Sequence, residues 1–505
     1  MKYVIAYDLG TGGIKTSLFD SDGLSVGYSF LSYPTYFPRA NFREQKPEDW
    51  WLAVVKTTRE VLAKTAVSPS DIVALAVSGH SLGVVPIGKS GELLAESTPL
   101  WNDARSADIP KEFWTKASES EWYLSTGNGF PPELYSVFKI LWYKRNMPKL
   151  YNRCDKFIGT KDYVNYKMTG VLATDHSYAS GSGVYSLQNS CYSDKYIEIF
   201  GIDKEKLPEI KSSTDSLGRI KSEVAKELGL SPKTLVLAGG VDNACMALGA
   251  GCIGDGDVYT SLGTSAWIAV SDDKPVLDFE KRPYVFAHCV PGQYVSATAI
   301  FSAGNSLSWA KDNLFPNVSG FAEIDALAKK SPIGAKGLLF LPTLAGGSSL
   351  DKSPRARGGF VGLDLMHTPS DIARSVLEGI AINLRVALDV LKKHTEPRSE
   401  MLVVGGGAKS SVWRKIFADA YAMDVFTSKV AQDAGSFGAA AVAAVGAGLW
   451  KDFSKVKEIC KKEDVTSPDK KSTVFYESLL PTYRKILDAY SDFGDELMKI
   501  YATNE

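Results

Sequence analysis

The sequence predicts two α/β domains of similar plan, following one another in a single chain. Three observations carry that expectation. At roughly 150 residues per domain, 505 residues imply two to four domains rather than one. The opening stretch VIAYDLGTGGIKTSLFD places glycines between two runs of alternating character, the pattern of two strands joined by a turn, and DVYTSLGTSAWIAVSDD repeats that plan about 250 residues later. So long a repeat is no solenoid unit. The last third of the chain then adds helical spacing and a strand, glycine turn and helix in succession.

The elements follow in order. After the first hairpin, Asp22-Gly23 marks a second turn. Gly83-Val84-Val85-Pro86-Ile87-Gly88-Lys89-Ser90 fits the Walker A pattern, but that motif needs a helix starting at its Lys and Ser, and Gly88-Lys89-Ser90-Gly91 reads as a hairpin turn instead. Asp242 follows the apolar run LVLA in the turn GGVDNAC, so it stands at the end of a buried strand. Pro283 to Trp309 is uncharged but interrupted by His288, Pro291 and Gly292, which reads as strand, turn and strand. Thr368-Pro369-Ser370-Asp371 supplies a cap, a proline and an acidic third position, and Ile372, Val376, Ile380, Leu384, Leu388 and Leu391 give the helix that follows one buried face. MLVVGGGAKS reads as a buried strand, a glycine turn and a serine cap before the helix VWRKIFADAYAM. Between Asp433 and Lys451 the chain has 17 uncharged residues. That is short of the roughly 20 strongly apolar residues a membrane span requires, and predicts buried core.

Acidic and basic residues nearly cancel, 58 against 57, so the chain lacks the basic excess that a nucleic-acid backbone or an anionic membrane demands. Neither partner is expected. Hydrophobic content of 45% with 23% charged residues is that of an ordinary globular protein. The six cysteines contain no CxxC pair and are too sparse for a disulfide framework, so they are read as reduced. The apolar run before Asp8 is too short for a signal peptide, and a cytoplasmic protein is expected.

Three glycine turns carry hydroxyl groups: DLGTGG, SLGTS at 261 to 265 and GGGAKS at 405 to 410. In the first, backbone N–H groups, Thr11 and Lys15 suit phosphate oxygens, and Asp8 suits a hydrated magnesium ion. Taken together, the three turns are what clamping a nucleotide between two domains needs. Asp242, beside Asn243, is placed either to take a hydroxyl proton during attack on a terminal phosphate or to cap the helix after it. Trp101-Asn102-Asp103-Ala104-Arg105 and Ser78-Gly79-His80-Ser81 mix aromatic and hydrogen-bonding groups in a way suited to a polyhydroxylated ligand. His80, without a ligand-spaced partner, reads as a pocket or packing residue rather than a metal ligand. No HExxH motif or Cys/His cluster is present.

These residues resemble the FGGY carbohydrate kinases. The similarity runs from DLGTGG through EQKPEDWW, WNDAR, KDYVNYKMTG, GGVDNA, SLGTS, PRARGGFVGL and GGGAKS, and GGFVGLDLMHTPSDIARSVLE fits the family's C-terminal signature at each constrained position. YSVFKILWYKRN, from Tyr135, matches the other signature only approximately. The resemblance implies two ribonuclease-H-like α/β domains of the actin and sugar-kinase ATPase fold with a cleft between them, residues 1–245 holding mainly sugar and 246–505 mainly ATP. By position, Asp242 resembles the catalytic base and, with Asp8, a magnesium-associated carboxylate. Thr11, Gly12, Gly13 and Lys15 resemble the first phosphate loop and Thr264 the second, while Gly304, Ser308, Gly407 and Ser411 match positions lining the nucleotide site. His80, Ser81, Leu82, Trp101, Asn102, Asp103 and Asn243 fall on the sugar side.

The implied substrates are ATP, with Mg2+, and a small sugar, and the pattern is most similar to family members acting on xylulose. It departs from them at His80-Ser81-Leu82-Gly83, where QMHG is usual, so Leu82 replaces a pocket histidine. Another ketose, a polyol or a sugar acid stays open at that point, as does a nucleotide-dependent binding protein on the same ATPase fold. Dimers are common among similar kinases, and a homodimer is the expectation.

Overall fold

A computed structural model describes residues 1–430 and 433–502. Strand alternation builds the start of the chain: β1 (Tyr3–Leu9) turns through residues 10–12 onto β2 (Gly13–Asp20), and Gly23, at φ 82°, lets the next turn lead into β3 (Ser25–Ser32). α1 (Pro47–Thr65) then carries the chain across to β4 (Ile72–Gly79), which pairs in parallel with β1. A long excursion follows, from which α2 (Ser136–Asn146) and α3 (Thr160–Thr169) matter below. The chain returns through β5 (Leu235–Leu237) and β6 (Gly240–Val241), both parallel to β4, and continues into α4 (Asp242–Gly249).

The second sheet repeats the first. β7 (Asp257–Leu262) and β8 (Ala266–Asp272) form its opening hairpin, and β9 (Tyr284–Ala287) and β10 (Tyr294–Ile300) extend it antiparallel. After α5 (Gly304–Leu314) and α6 (Pro369–Lys392), β11 (Glu400–Val404) pairs in parallel with β7, and α7 (Ser411–Tyr421) leads to β12 (Asp424–Thr427), parallel to β11. The shared core of each seven-stranded sheet runs β3-β2-β1-β4-β5 in one and β10-β8-β7-β11-β12 in the other, with β9 beyond β10. Three antiparallel strands followed by two parallel ones, twice in one chain, is the two-domain architecture expected from the repeat.

The stretch after Asp433 is α8 (Ala434–Gly446), and its residues from Ala434 to Ala444 are all buried. It lies against β1 and β4 of the first sheet although it belongs to the second half of the chain. α4 packs along α8, and one apolar cluster joins Ala6 and Ala76 of the first sheet, both helices, and Ala269, Ala297 and Val404 of the second. The helices cross at glycines. A Cβ on Gly249 would collide with the Ala434 carbonyl, and one on Gly438 with that of Cys245. Among the described residues no helix is long and apolar enough to cross a membrane.

One expectation changes in detail. α6 begins with the capping box of Thr368 and Asp371, but its middle turns are buried all round rather than on one face. β8, β10, α7 and the long helix Lys470–Ala502 each cover part of it. The expected domain division at 245/246 falls inside α4. The Walker-like segment contains a strand, Val85–Gly88, followed by a turn closed by Gly91 N–H to Gly88 C=O (2.9 Å), with no helix at Lys89. All six cysteines are free.

Because the α4–α8 crossing has no room for a methyl group, Gly438→Ala is expected to destabilise the protein by about 1–3 kcal/mol. Gly320, with open space around its Cβ position, is the control. Thermal unfolding checks this: Gly438→Ala should melt lower, and Gly320→Ala close to the parent.

Candidate active site

Sheet register brings two carboxylates to the same edge. Asp8 stands opposite Ser78 on β4, Gly240 pairs with Ser78 from the other side, and Asp242 follows one residue beyond Val241. Ser78 Oγ donates to Asp8 Oδ1 (3.3 Å), and Asp242 Oδ1 accepts from the backbone N–H and the side-chain amide of Asn243 (2.8 and 3.1 Å). Burial raises the pKa of Asp8 to about 6, against the lowering effects of Ser78 and Lys15. Burial raises Asp242 further, to about 7, and the charge of Asp8 adds to the effect. Asp242 is the first residue of α4. The first turn of α8 reaches the other carboxylate, where a Cβ on Gly435 would lie 3.1 Å from Asp8 Oδ2. Two positive helix ends thus meet the acidic pair.

The loop between β1 and β2 borders this edge. Thr11 Oγ1 accepts from Trp101 Nε1 (3.0 Å), and the Thr11 carbonyl accepts from Gln45 Nε2 (2.7 Å), which fixes the loop from below. Gly12 is exposed with free space at its Cβ position. Lys15 forms an ion pair with Asp433, just ahead of α8, and its ammonium lies 4.5 Å from the Tyr28 ring centroid.

The second half supplies a cavity of about 530 Å³, lined by Gly263, Thr264, Gly304, Asn305, Ser308, Phe321, Asp325, Gly407, Lys409 and Ser410 among others. The Gly263 and Thr264 carbonyls accept the N–H groups of Gly304 and Asn305 (both 3.0 Å), so the turn after β7 is fastened to the start of α5. A Cβ on Gly304 would collide with Gly263 O, and Gly405, at φ 88°, has Leu262 O 2.6 Å from its Cβ position. Glycine is needed at both for the backbones to approach so closely. Ser411 does not line the cavity. It is exposed at the start of α7, whereas Ser410 faces the cavity and caps α7 by accepting from Trp413 N–H (3.0 Å).

The residues expected on the sugar side differ in their surroundings. The His80 ring is 1% exposed, lies edge-on to Trp50, and has no hydrogen-bond partner at either nitrogen among the described residues. Burial lowers its pKa to about 3, which keeps it neutral. Leu82 adopts φ 61°, a left-handed conformation unfavourable for leucine, and buries its side chain among Val84, Tyr135 and Val137. Asp103 is fully buried, with its oxygens taken by Arg43 N–H (2.6 Å) and by Arg105 Nε and Nη2 (2.8 and 2.9 Å), so it shapes the segment instead of facing the cleft. Asn102 is exposed, Ser81 is 8% exposed, and Asn243 braces Asp242.

Comparison with known proteins then decides the family. The N-terminal domain model of the FGGY family of carbohydrate kinases matches residues 3–249, and the C-terminal domain model matches residues 258–447. The chain belongs to this family. It is an ATP-dependent carbohydrate kinase. It is 32% identical to a xylulose kinase of Staphylococcus epidermidis over 98% of this chain and 99% of that one. The ligand-bound xylulose kinase from Lactobacillus acidophilus superposes with a TM-score of 0.91 at 28% identity, covering 98% of this chain and all of that one. A gluconate kinase from the same organism gives a TM-score of 0.90 at 28% identity, covering 97% of this chain and 99% of that one.

Sequence reasoning missed one group in this kinase altogether. Lys139 on α2 is fully buried and donates to the carbonyls of Leu134 (2.7 Å), Leu82 (3.0 Å) and Trp101 (3.3 Å), which ties the two sugar-side segments together. Burial lowers its pKa to about 7. The available signal was a lysine amid the apolar positions of YSVFKILW. For the cavity of the second half, Gly304→Ala is expected to weaken ADP binding by about tenfold or more, because the added methyl pushes the turn after β7 away from α5. Isothermal titration checks this, and unchanged affinity would contradict it.

Proposed function

We propose that the enzyme transfers the γ-phosphoryl group of ATP to the terminal hydroxyl of D-xylulose, giving D-xylulose 5-phosphate and ADP. The observation that carries the chemistry is Asp242, a carboxylate at the cleft whose pKa lies near neutrality. Full-length similarity to xylulose kinases supports the choice of sugar. In the reaction the sugar oxygen attacks the γ-phosphorus in line, the bond to the β–γ bridging oxygen breaks, and the hydroxyl proton passes to Asp242.

Among the described residues no donor reaches the second oxygen of Asp8 or of Asp242. Such free carboxylate oxygens fit Mg2+, a hard cation that prefers oxygen ligands. Held there, the ion would offset charge on the phosphate oxygens. Thr11, Gly12, Gly13 and Lys15 on one side and Thr264 on the other would orient the phosphates, with Gly304, Ser308 and Gly407 against the rest of the nucleotide. Ser81, Trp101 and Asn102 bound the sugar side.

One observation favours a second reading. Leu82 turns its side chain into the core, so that position offers the sugar no side-chain donor. Gluconate or another ketose or polyol is the alternative acceptor.

A coupled ADP-release assay with ATP, Mg2+ and a panel of ketopentoses, hexuloses, polyols and sugar acids tests the substrate. Fastest turnover on D-xylulose is expected, and fastest turnover on gluconate would transfer the assignment. Asp242→Asn should lower sugar phosphorylation by about 100-fold or more with ADP affinity kept. A base must be deprotonated to act, and this carboxyl is held near 7, so kcat/KM should rise with pH through about 7. A flat profile from acid to neutral pH would speak against Asp242 as base.

A further inference from the structure

Behind Asp242 lies a set of charges that the phosphoryl transfer itself does not use. Lys161, Asp162 and Asp175 have no exposed side-chain surface, and the Lys161 ammonium bridges Asp162 Oδ1 (2.6 Å) and Asp175 Oδ1 (2.9 Å). Two carboxylates against one ammonium leave one negative charge in excess, which hydrogen-bond donors meet. Gly159 N–H donates to Asp162 Oδ2 (2.9 Å), while Asp175 Oδ2 accepts from Ser177 N–H (2.9 Å), Ser213 Oγ (2.9 Å) and Ser177 Oγ. Burying such a group rarely stabilises a fold beyond what apolar side chains would do, so stability is a poor account of it.

Its contacts lead to the catalytic strand. Lys161 Nζ and Asn165 Nδ2 both donate to the Ala238 carbonyl (2.9 Å each). Ser177 Oγ accepts from the N–H of Val241, the residue before Asp242 (2.8 Å). The hydroxyl has one proton, and the carboxylate of Asp175 takes it, so a lone pair is left facing Val241 N–H. The direction of that chain is fixed by charge: ammonium, carboxylate, hydroxyl, amide. The same turn of α3 also reaches the sugar side, where Thr160 Oγ1 donates to the His80 carbonyl (2.7 Å).

We infer that Ser177, Asp175 and Lys161 are positioning residues, which fix the 238–241 strand and hence the placement of the Asp242 carboxylate relative to the sugar-side segment that begins at His80. Ser177 is the link that acts on Asp242 alone. Ser213 holds Gly239 N–H through its backbone carbonyl (3.0 Å), but its hydroxyl reaches only the Asp175 carboxylate, so removing that hydroxyl separates a positioning effect from a general weakening of the network. The inference rests on Asp242 being the base.

The test uses the full-length enzyme with ATP, Mg2+ and its fastest sugar. Ser177→Ala should lower kcat by about tenfold to 100-fold, since small misplacements of a reacting group have effects of that size. KM for both substrates should stay within about twofold. Ser213→Ala should change kcat far less. In the Asp242→Asn background, Ser177→Ala should cause no further loss, because two changes acting through one group are not additive. An unchanged kcat in Ser177→Ala, an equal loss in Ser213→Ala, or an equal loss in the Asp242→Asn background would each overturn the positioning role. Near-normal turnover by Asp242→Asn alone would instead remove the base assignment on which it rests.

Discussion

The rest of the molecule depends on the backbone contact between α4 and α8. Each helix begins at the catalytic edge, α4 with Asp242 and α8 beside Asp8, and each runs back between the two sheets. Where they cross, glycines replace the side chains that ordinarily hold helix axes 8–10 Å apart. The alanine-rich faces of α8 continue that close approach along its length. An apolar cluster common to both halves therefore holds the two sheets on one pair of helices, and the separation of the two carboxylates is set by packing rather than by loops.

Electrostatics then divides labour between these carboxylates. Both are pushed upward by burial, but Asp8 has Ser78 and Lys15 to stabilise its charge, whereas Asp242 has Asn243 and feels Asp8 as a like charge. Asp433 also adds like charge near Asp8, so both carboxyls are held well above the usual range. These surroundings suit a charged partner for cations at Asp8 and a proton acceptor at Asp242, and they follow from position alone, since both residues are aspartates.

The strands, the opening hairpins and the capped start of α6 were legible in the sequence because their signals are local: alternation, glycine at turns, and Thr368 three residues before Asp371. The two aspartates that meet at the shared sheet edge were legible for the same reason, each lying next to a glycine turn after an apolar run. What escaped was decided by distant chain. A lysine on a helix ordinarily reads as solvated, and only the meeting of three carbonyls from separate segments turns Lys139 inward. Asp103 reads as a free hydrogen-bonding group until Arg43 and Arg105 are seen to occupy it. Ser410 lines the cavity of the second half where Ser411 was expected, because Ser410 caps α7 and Ser411 points outward.

The two opening hairpins also differ in a way that their shared plan conceals. Ser261 stands in the second where Asp8 stands in the first, and Ile268 where Lys15 stands. Each half thus carries the same turn, but only the first copy has ionisable groups at these two positions beside it. The duplication is symmetric in backbone and broken in charge at the two positions that flank its turns, so two like hairpins offer unlike electrostatic surroundings.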